Sequence, residues 1–161
     1  MPMTPKSYAQ IVRLGPQNDH LLDGLDSLYR LFAIEEGHTA PPEHFTKFVE
    51  ARLHDDAMLV LMALAGRHDT ARVAVGYALV FDVEYHPFIP DWARSGYITQ
   101  LFVQGDHRRH GVGQQMVESA LSWLDQRGVG QVMLNVDVDN MSGELFWLSL
   151  IHISEPTRPS S

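Results

Sequence analysis

Apolar residues recur at two periods along the chain, and the change from one to the other divides it into strands and helices. Tyr8, Ile11, Val12 and Leu14 suggest a first strand, ended by Gly15 and Pro16. Asn18 or Asp19 can cap a helix that carries Leu21, Leu22, Leu25, Leu28, Tyr29, Phe32 and Ala33 and stops near Gly37. Pro41 and Pro42 suit the first turn of a second helix, with Phe45, Phe48, Val49 and Leu53 on one face. Residues 58–65 read as a buried strand, joined by a hairpin at 66–70 to a long strand from about 72 to 85. A further strand holds Tyr97, Ile98, Leu101, Phe102 and Val103 and breaks at Gln104, Gly105 and Asp106. From Val112, the residues Met116, Val117, Ala120, Leu121, Trp123 and Leu124 follow at mostly three- and four-residue steps, so a helix is predicted that Gly128 caps.

Alternation along the long strand puts Val73, Val75, Tyr77, Leu79, Phe81 and Val83 on one face. Ala74, Gly76, Ala78 and Val80 lie opposite, and they share that face with Asp82 and Glu84. Two carboxylates at the end of a small-residue surface suit a general base or an amine-binding pair, or else mark where the strand reaches solvent. Glu35 and Glu36 close the first helix and are either exposed helix-end charges or part of a site. Asp55 and Asp56 are most simply a polar turn.

Between strand and helix lies the hexapeptide RRHGVG, 108–113. The first N–H groups of a helix lack partners and the helix dipole is positive there, so a glycine turn at that place is suited to an anion. Gly111 and Gly113 let backbone approach a phosphate closely. Taken alone, the hexapeptide is equally an ordinary turn with two solvated arginines.

The wider order of segments carries more. GYALVFDVEYHPF from Gly76, then GYITQLFV, RRHGVGQQM, VMLNVDVDN and ELFW together resemble the GNAT superfamily of N-acetyltransferases, over about residues 73–147. The resemblance implies an α/β (α+β) fold: a mixed, mostly antiparallel sheet with helices on both faces and acetyl-CoA in a gap between splayed strands. It implies that Leu101, Phe102 and Val103 offer backbone groups to the pantetheine arm. Arg109, His110, Gly111, Val112, Gly113 and Gln114 would wrap the pyrophosphate, with Arg108 as the leading basic residue, and Asn140 would reach the cofactor from the next helix. Within the superfamily the nearest look is to diamine and polyamine acetyltransferases. Thr99 and Gln100 replace carboxylates common there, His86 replaces an acidic residue, and Trp147 stands where a tyrosine acid is frequent and has no ionisable hydroxyl. The base is therefore sought at Glu84, Asp82 or His86. A CoA-binding pseudo-enzyme or sensor is the alternative reading, because the phosphate turn does not require a base.

Composition narrows the classes. The 161 residues, 45% hydrophobic, suffice for one domain with one core. No apolar run reaches the roughly eighteen residues of a membrane span, and no basic-then-apolar leader is visible, so neither a membrane partner nor secretion is expected and the cytosol is the default. With no cysteine, disulfides and an acyl-cysteine mechanism are excluded. Nine histidines show no metal-ligand spacing, so no metal is expected. A net charge of −8 argues against a nucleic-acid groove and mildly favours a cationic acceptor, a small-molecule or peptide amine. A homodimer is left open.

The last stretch reads differently. LSLIHISEPTR, 148–158, looks like the translation of a sequencing adapter, which divides the chain into a 1–147 acetyltransferase domain and a 148–161 tail of foreign origin. On that reading the family's last strands are missing and activity is crippled; the alternative is a genuine short terminus.

Overall fold

A computed structural model describes residues 8–37, 42–66, 72–83 and 95–134. Five strands form one sheet in the order β1-β2-β3-β4-β5: β1 Ala9–Arg13, β2 Met58–Ala65, β3 Val73–Val83, β4 Ser95–Val103 and β5 Gln131–Leu134. The first four pair antiparallel, each with its neighbour, and β5 runs parallel to β4. A parallel pair needs a crossover, and the helix α3, Val112–Gln126, provides it.

The sheet has a core on each face. On one, Val112, Met116, Ala120 and Leu124 of α3 bury Leu59, Leu61, Val75, Ala78, Val80 and Ile98. Across the sheet, α1 (Leu22–Glu35) and α2 (Pro42–Ala51) cover Val60, Met62, Tyr77, Leu79 and Phe102, with Leu25, Leu28 and Val49 fully enclosed. The mixed sheet with helices on both faces is the expected fold class. β2 is buried almost throughout, since both of its faces are roofed.

Two bulges change what alternation predicts. Ala63 pairs with Gly76 but Leu64 pairs with Ala74, so Val75 is an extra residue on β3. The faces exchange there: Ala74 packs with the α1 core and Val75 with the α3 core, the reverse of the simple alternation. Val73 is 61% exposed. Beyond the bulge, Tyr77, Leu79 and Phe81 keep their expected side, and Asp82 the other. The second bulge is on β4, where Leu79 faces Gln100 and Val80 faces Ile98, leaving Thr99 as the extra residue.

The start of α1 also differs from expectation. A 3-10 helix, Pro16–Leu21, precedes it, and α1 begins after Leu21 with no side-chain cap. Asn18 instead organises the end of β1: its Oδ1 accepts from Gly15 N at 2.6 Å and its Nδ2 donates to Arg13 O at 2.8 Å. Asx side chains compete for local backbone groups in this way, and the exit of a strand offered better partners. The far end of α3 follows expectation. Gly128 (φ 77°) ends it with Gly128 N donating to Asp125 O and Val129 N to Leu124 O, a Schellman closure that also packs Val129 beside Leu124.

Candidate active site

The end of β4 and the start of α3 make the site. β5 pairs with β4 only from Ser95 to Ile98 among the described residues, and the Thr99 bulge lies immediately after. Past the bulge, β4 continues through Leu101, Phe102 and Val103. Bulging exposes backbone groups that a regular ladder would use. Thr99 Oγ1 donates back to Leu79 O at 3.1 Å, which pins the bulge from the β3 side. Next to it, the Tyr77 hydroxyl donates to Gln100 Oε1 at 2.7 Å. Burial, with a smaller effect from Tyr29, pushes the Tyr77 hydroxyl well above the ordinary tyrosine range, so it stays protonated as a structural donor.

From Val103 the chain passes Gln104, whose N–H donates to Val75 O, and makes a single 3-10 turn, Gly105–His107. The hexapeptide then turns into α3 through two left-handed residues, Arg109 (φ 68°) and Gly111 (φ 78°). Gly111 is the N-cap and supplies no side-chain cap, while Gln115 N already donates to Gly111 O. The preceding first-turn N–H groups, of Val112, Gly113 and Gln114, are those a helix leaves without an intrahelical acceptor. A Cβ built on Gly111 meets no atom within 4 Å, so the turn opens onto free space rather than onto packed protein. Left-handed turns that aim successive N–H groups outward form anion-binding concavities, and the residues present fit a pyrophosphate on that ground.

Not every basic residue here is available. Arg108 donates through Nη2 to both carboxylate oxygens of Glu35, at 2.9 and 2.7 Å, and through Nε to Val103 O at 2.8 Å. It joins the end of α1 to the end of β4. Nothing in the sequence pattern pairs residues 35 and 108, and Glu35 had only its place at a helix end to recommend it. His110 is stacked on Tyr8, with ring centroids 4.0 Å apart and planes 7° apart, and the Tyr8 hydroxyl is hydrogen-bonded to His107 Nδ1 at 2.6 Å.

Asp82 is 4% exposed, and its Oδ2 accepts from Arg127 Nε at 2.7 Å on the α3 face. The strand has therefore not reached solvent at this position. Glu84, His86 and Asn140, with Trp147 and the 148–161 tail, lie outside the described residues.

Similarities to known proteins accord with this geometry. No curated protein matches in sequence. Among solved structures, the aminoglycoside N-acetyltransferase AAC(6')-Iy in complex with CoA superposes with a TM-score of 0.74 at 19% identity, covering 99% of this chain and 96% of that one. A ribosomal-protein-alanine N-acetyltransferase from Brucella melitensis biovar Abortus 2308 gives 0.63 at 20% identity, covering 95% and 96%. A predicted acetyltransferase with acetyl-CoA from Clostridium acetobutylicum gives 0.69 at 13% identity, covering 95% and 92%. At such identities the likeness is one of fold. The profile of the acetyltransferase (GNAT) family, however, matches residues 25–148, so the strand, turn and helix that build this site are those of a GNAT acetyltransferase, and the chain belongs to that family.

Proposed function

We propose that the protein transfers the acetyl group of acetyl-CoA to a primary amine, by direct attack within a ternary complex. The observation that carries this reading is the uncapped N-terminus of α3, entered through the left-handed Arg109 and Gly111 just after β4 and its bulge at Thr99. Backbone N–H groups at 109–114 would hold the pyrophosphate, with the Arg109 side chain adding positive charge. Leu101, Phe102 and Val103 would meet the pantetheine arm, with Asn140 a further contact. Acetyl-CoA supplies the activated thioester.

The remaining work falls to the chain. As the amine attacks the thioester carbon, negative charge develops on the carbonyl oxygen, and N–H donors placed beforehand near the β4 bulge would stabilise it. The C–S bond breaks and coenzyme A leaves with the electron pair. The attacking nitrogen must give up a proton, and Glu84, Asp82 and His86 are the candidates for receiving it. Asp82 is already ion-paired with Arg127, so the reading favours Glu84 or His86, with Asp82 anchoring the strand end that leads to them. The net charge of −8 supports a cationic acceptor. Related folds serve aminoglycosides in one protein and a ribosomal-protein alanine in another, so diamines, polyamines, aminoglycosides and peptide N-termini form the panel.

The test is Gly111→Glu, which places bulk and negative charge at the turn. Calorimetric coenzyme A binding should be lost while folding is kept; undiminished affinity would overturn the placement. Thiol release from acetyl-CoA over the amine panel then identifies the acceptor.

A further inference from the structure

We infer that Tyr8 and Glu35, neither of them in the 108–113 turn, are positioning residues that hold that turn in its anion-binding shape before any ligand arrives. The role assigned to the turn rests on the acetyl-CoA reading; the bracing itself rests on contacts in the free protein. Arg109 is the one residue other than glycine with a left-handed backbone among the described residues. Such a conformation is unfavourable for an L side chain and persists only where the surroundings fix it. Its neighbours on both sides are fixed. Before it, Arg108 is held by the Glu35 carboxylate and by Val103 O, and its guanidinium lies 5.7 Å from the Phe102 ring centroid. After it, His110 is stacked face to face on Tyr8, whose hydroxyl also holds His107. The two braces come from different elements: Glu35 from the end of α1, Tyr8 from the residue preceding β1.

Exposure says what these contacts are for. The Arg108 and Glu35 side chains are 47% and 48% exposed, and ion pairs so open to solvent add little to global stability. Their effect is local. Charge alone predicts the opposite sign, because removing Glu35 frees a guanidinium beside the turn and should tighten an anion. Positioning predicts that binding weakens.

The experiment compares the full chain with Glu35→Gln, Glu35→Asp and Tyr8→Leu by amide hydrogen exchange without ligand and by coenzyme A calorimetry. Exchange at Arg108 and Gln115, whose N–H groups donate to Gly105 O and Gly111 O on either side of Arg109 and so report opening of the turn, should speed by about fivefold in Glu35→Gln and in Tyr8→Leu, the scale of losing one exposed contact, with core amides such as Leu25 and Met62 unchanged. Coenzyme A affinity should fall by a similar factor of about five, with Glu35→Asp recovering part of it. Unchanged exchange at Arg108 and Gln115 in both variants overturns the brace, as does a tighter coenzyme A complex in Glu35→Gln. A wild-type chain that binds no coenzyme A would refute the acetyl-CoA reading, and the exchange rates would still decide the brace.

Discussion

Arg127 Nε donates a 2.7 Å hydrogen bond to Asp82 Oδ2 and so fastens the last turn of α3 to the end of β3. The carboxylate side chain is fully buried, whereas the guanidinium is 27% exposed and lies 4.9 Å from the Trp123 ring centroid. Asp82 N also donates to Ala57 O, so backbone and side chain are both committed. The consequence for the site is indirect. α3 carries the 108–113 turn at its start, and a helix pinned at its far end presents that start at a fixed place.

Removing the cation takes the Arg127 contact away from a buried negative charge. Arg127→Met should cost about 3 kcal/mol, the lower part of the range for a broken buried pair because the guanidinium is partly in water. Urea unfolding measures it. Adding Asp82→Leu to Arg127→Met should return part of the loss, since no charge is then buried; a double variant less stable than Arg127→Met would contradict this account.

Gly76 tests how close β3 and β4 run. A Cβ there would stand 2.8 Å from Phe102 O and 3.2 Å from Met116 Cε, and the first of these is backbone, which cannot swing aside. Gly76→Ala should therefore cost about 1–3 kcal/mol as overpacking, despite the better strand propensity of alanine. A midpoint of denaturation equal to wild type would show that the sheet yields more easily than its geometry suggests.

Features that depend on neighbours in sequence were legible, and those that depend on a partner strand were not. Gly128 announced the end of α3 because a Schellman closure needs only the preceding turn and a residue tolerant of positive φ. The α3 stripe, from Val112 to Leu124, was likewise visible as a period. The bulges at Val75 and Thr99 were not, because an extra residue on one strand has meaning only against the register of another. Asp82 is alike in this respect: its partner is 45 residues away, and a carboxylate near a strand end reads as solvent-facing or catalytic until Arg127 is seen beside it. The 108–113 turn fell between the two, its glycines explicit, its contacts with Tyr8 and Glu35 hidden by sequence distances of 99 and 73 residues.

Asp26 links α1 to α2, and its titration gives a pH test. Its Oδ1 accepts from Thr46 Oγ1 at 2.7 Å and its Oδ2 from Arg30 Nε at 2.9 Å. The Thr46 hydrogen bond, with help from Arg30 and against some desolvation, holds the carboxyl below its ordinary value of 3.8. A lowered folded-state pKa means stability that is present above 3.8 and is lost as pH falls through the folded-state value. Thr46→Val should therefore be less stable than wild type near pH 7, and the difference should narrow on acidification below the ordinary value. A difference that stays constant into strong acid would mean that Thr46 acts through packing and not through Asp26.

The proton of the attacking amine supplies the last prediction. An alkylamine with a pKa of about 10.4 is almost wholly protonated at pH 7, and presenting it free costs roughly 4 to 5 kcal/mol. A positioned carboxylate can accept that proton, directly or through one water, and Glu84 follows in sequence two residues after Asp82, which Arg127 secures. Glu84→Gln keeps the shape and removes the basicity, so turnover at pH 7 should fall by about two to four orders of magnitude with coenzyme A affinity retained. The deficit should shrink as pH rises, because each pH unit below the amine's own pKa of about 10.4 delivers roughly ten times more free amine and leaves less for the base to do. His86→Gln, measured in parallel, separates the two remaining candidates. Wild-type turnover in Glu84→Gln throughout the range from about pH 6 to 9 would remove Glu84 from the mechanism and leave His86, or free amine drawn from solution, as the route.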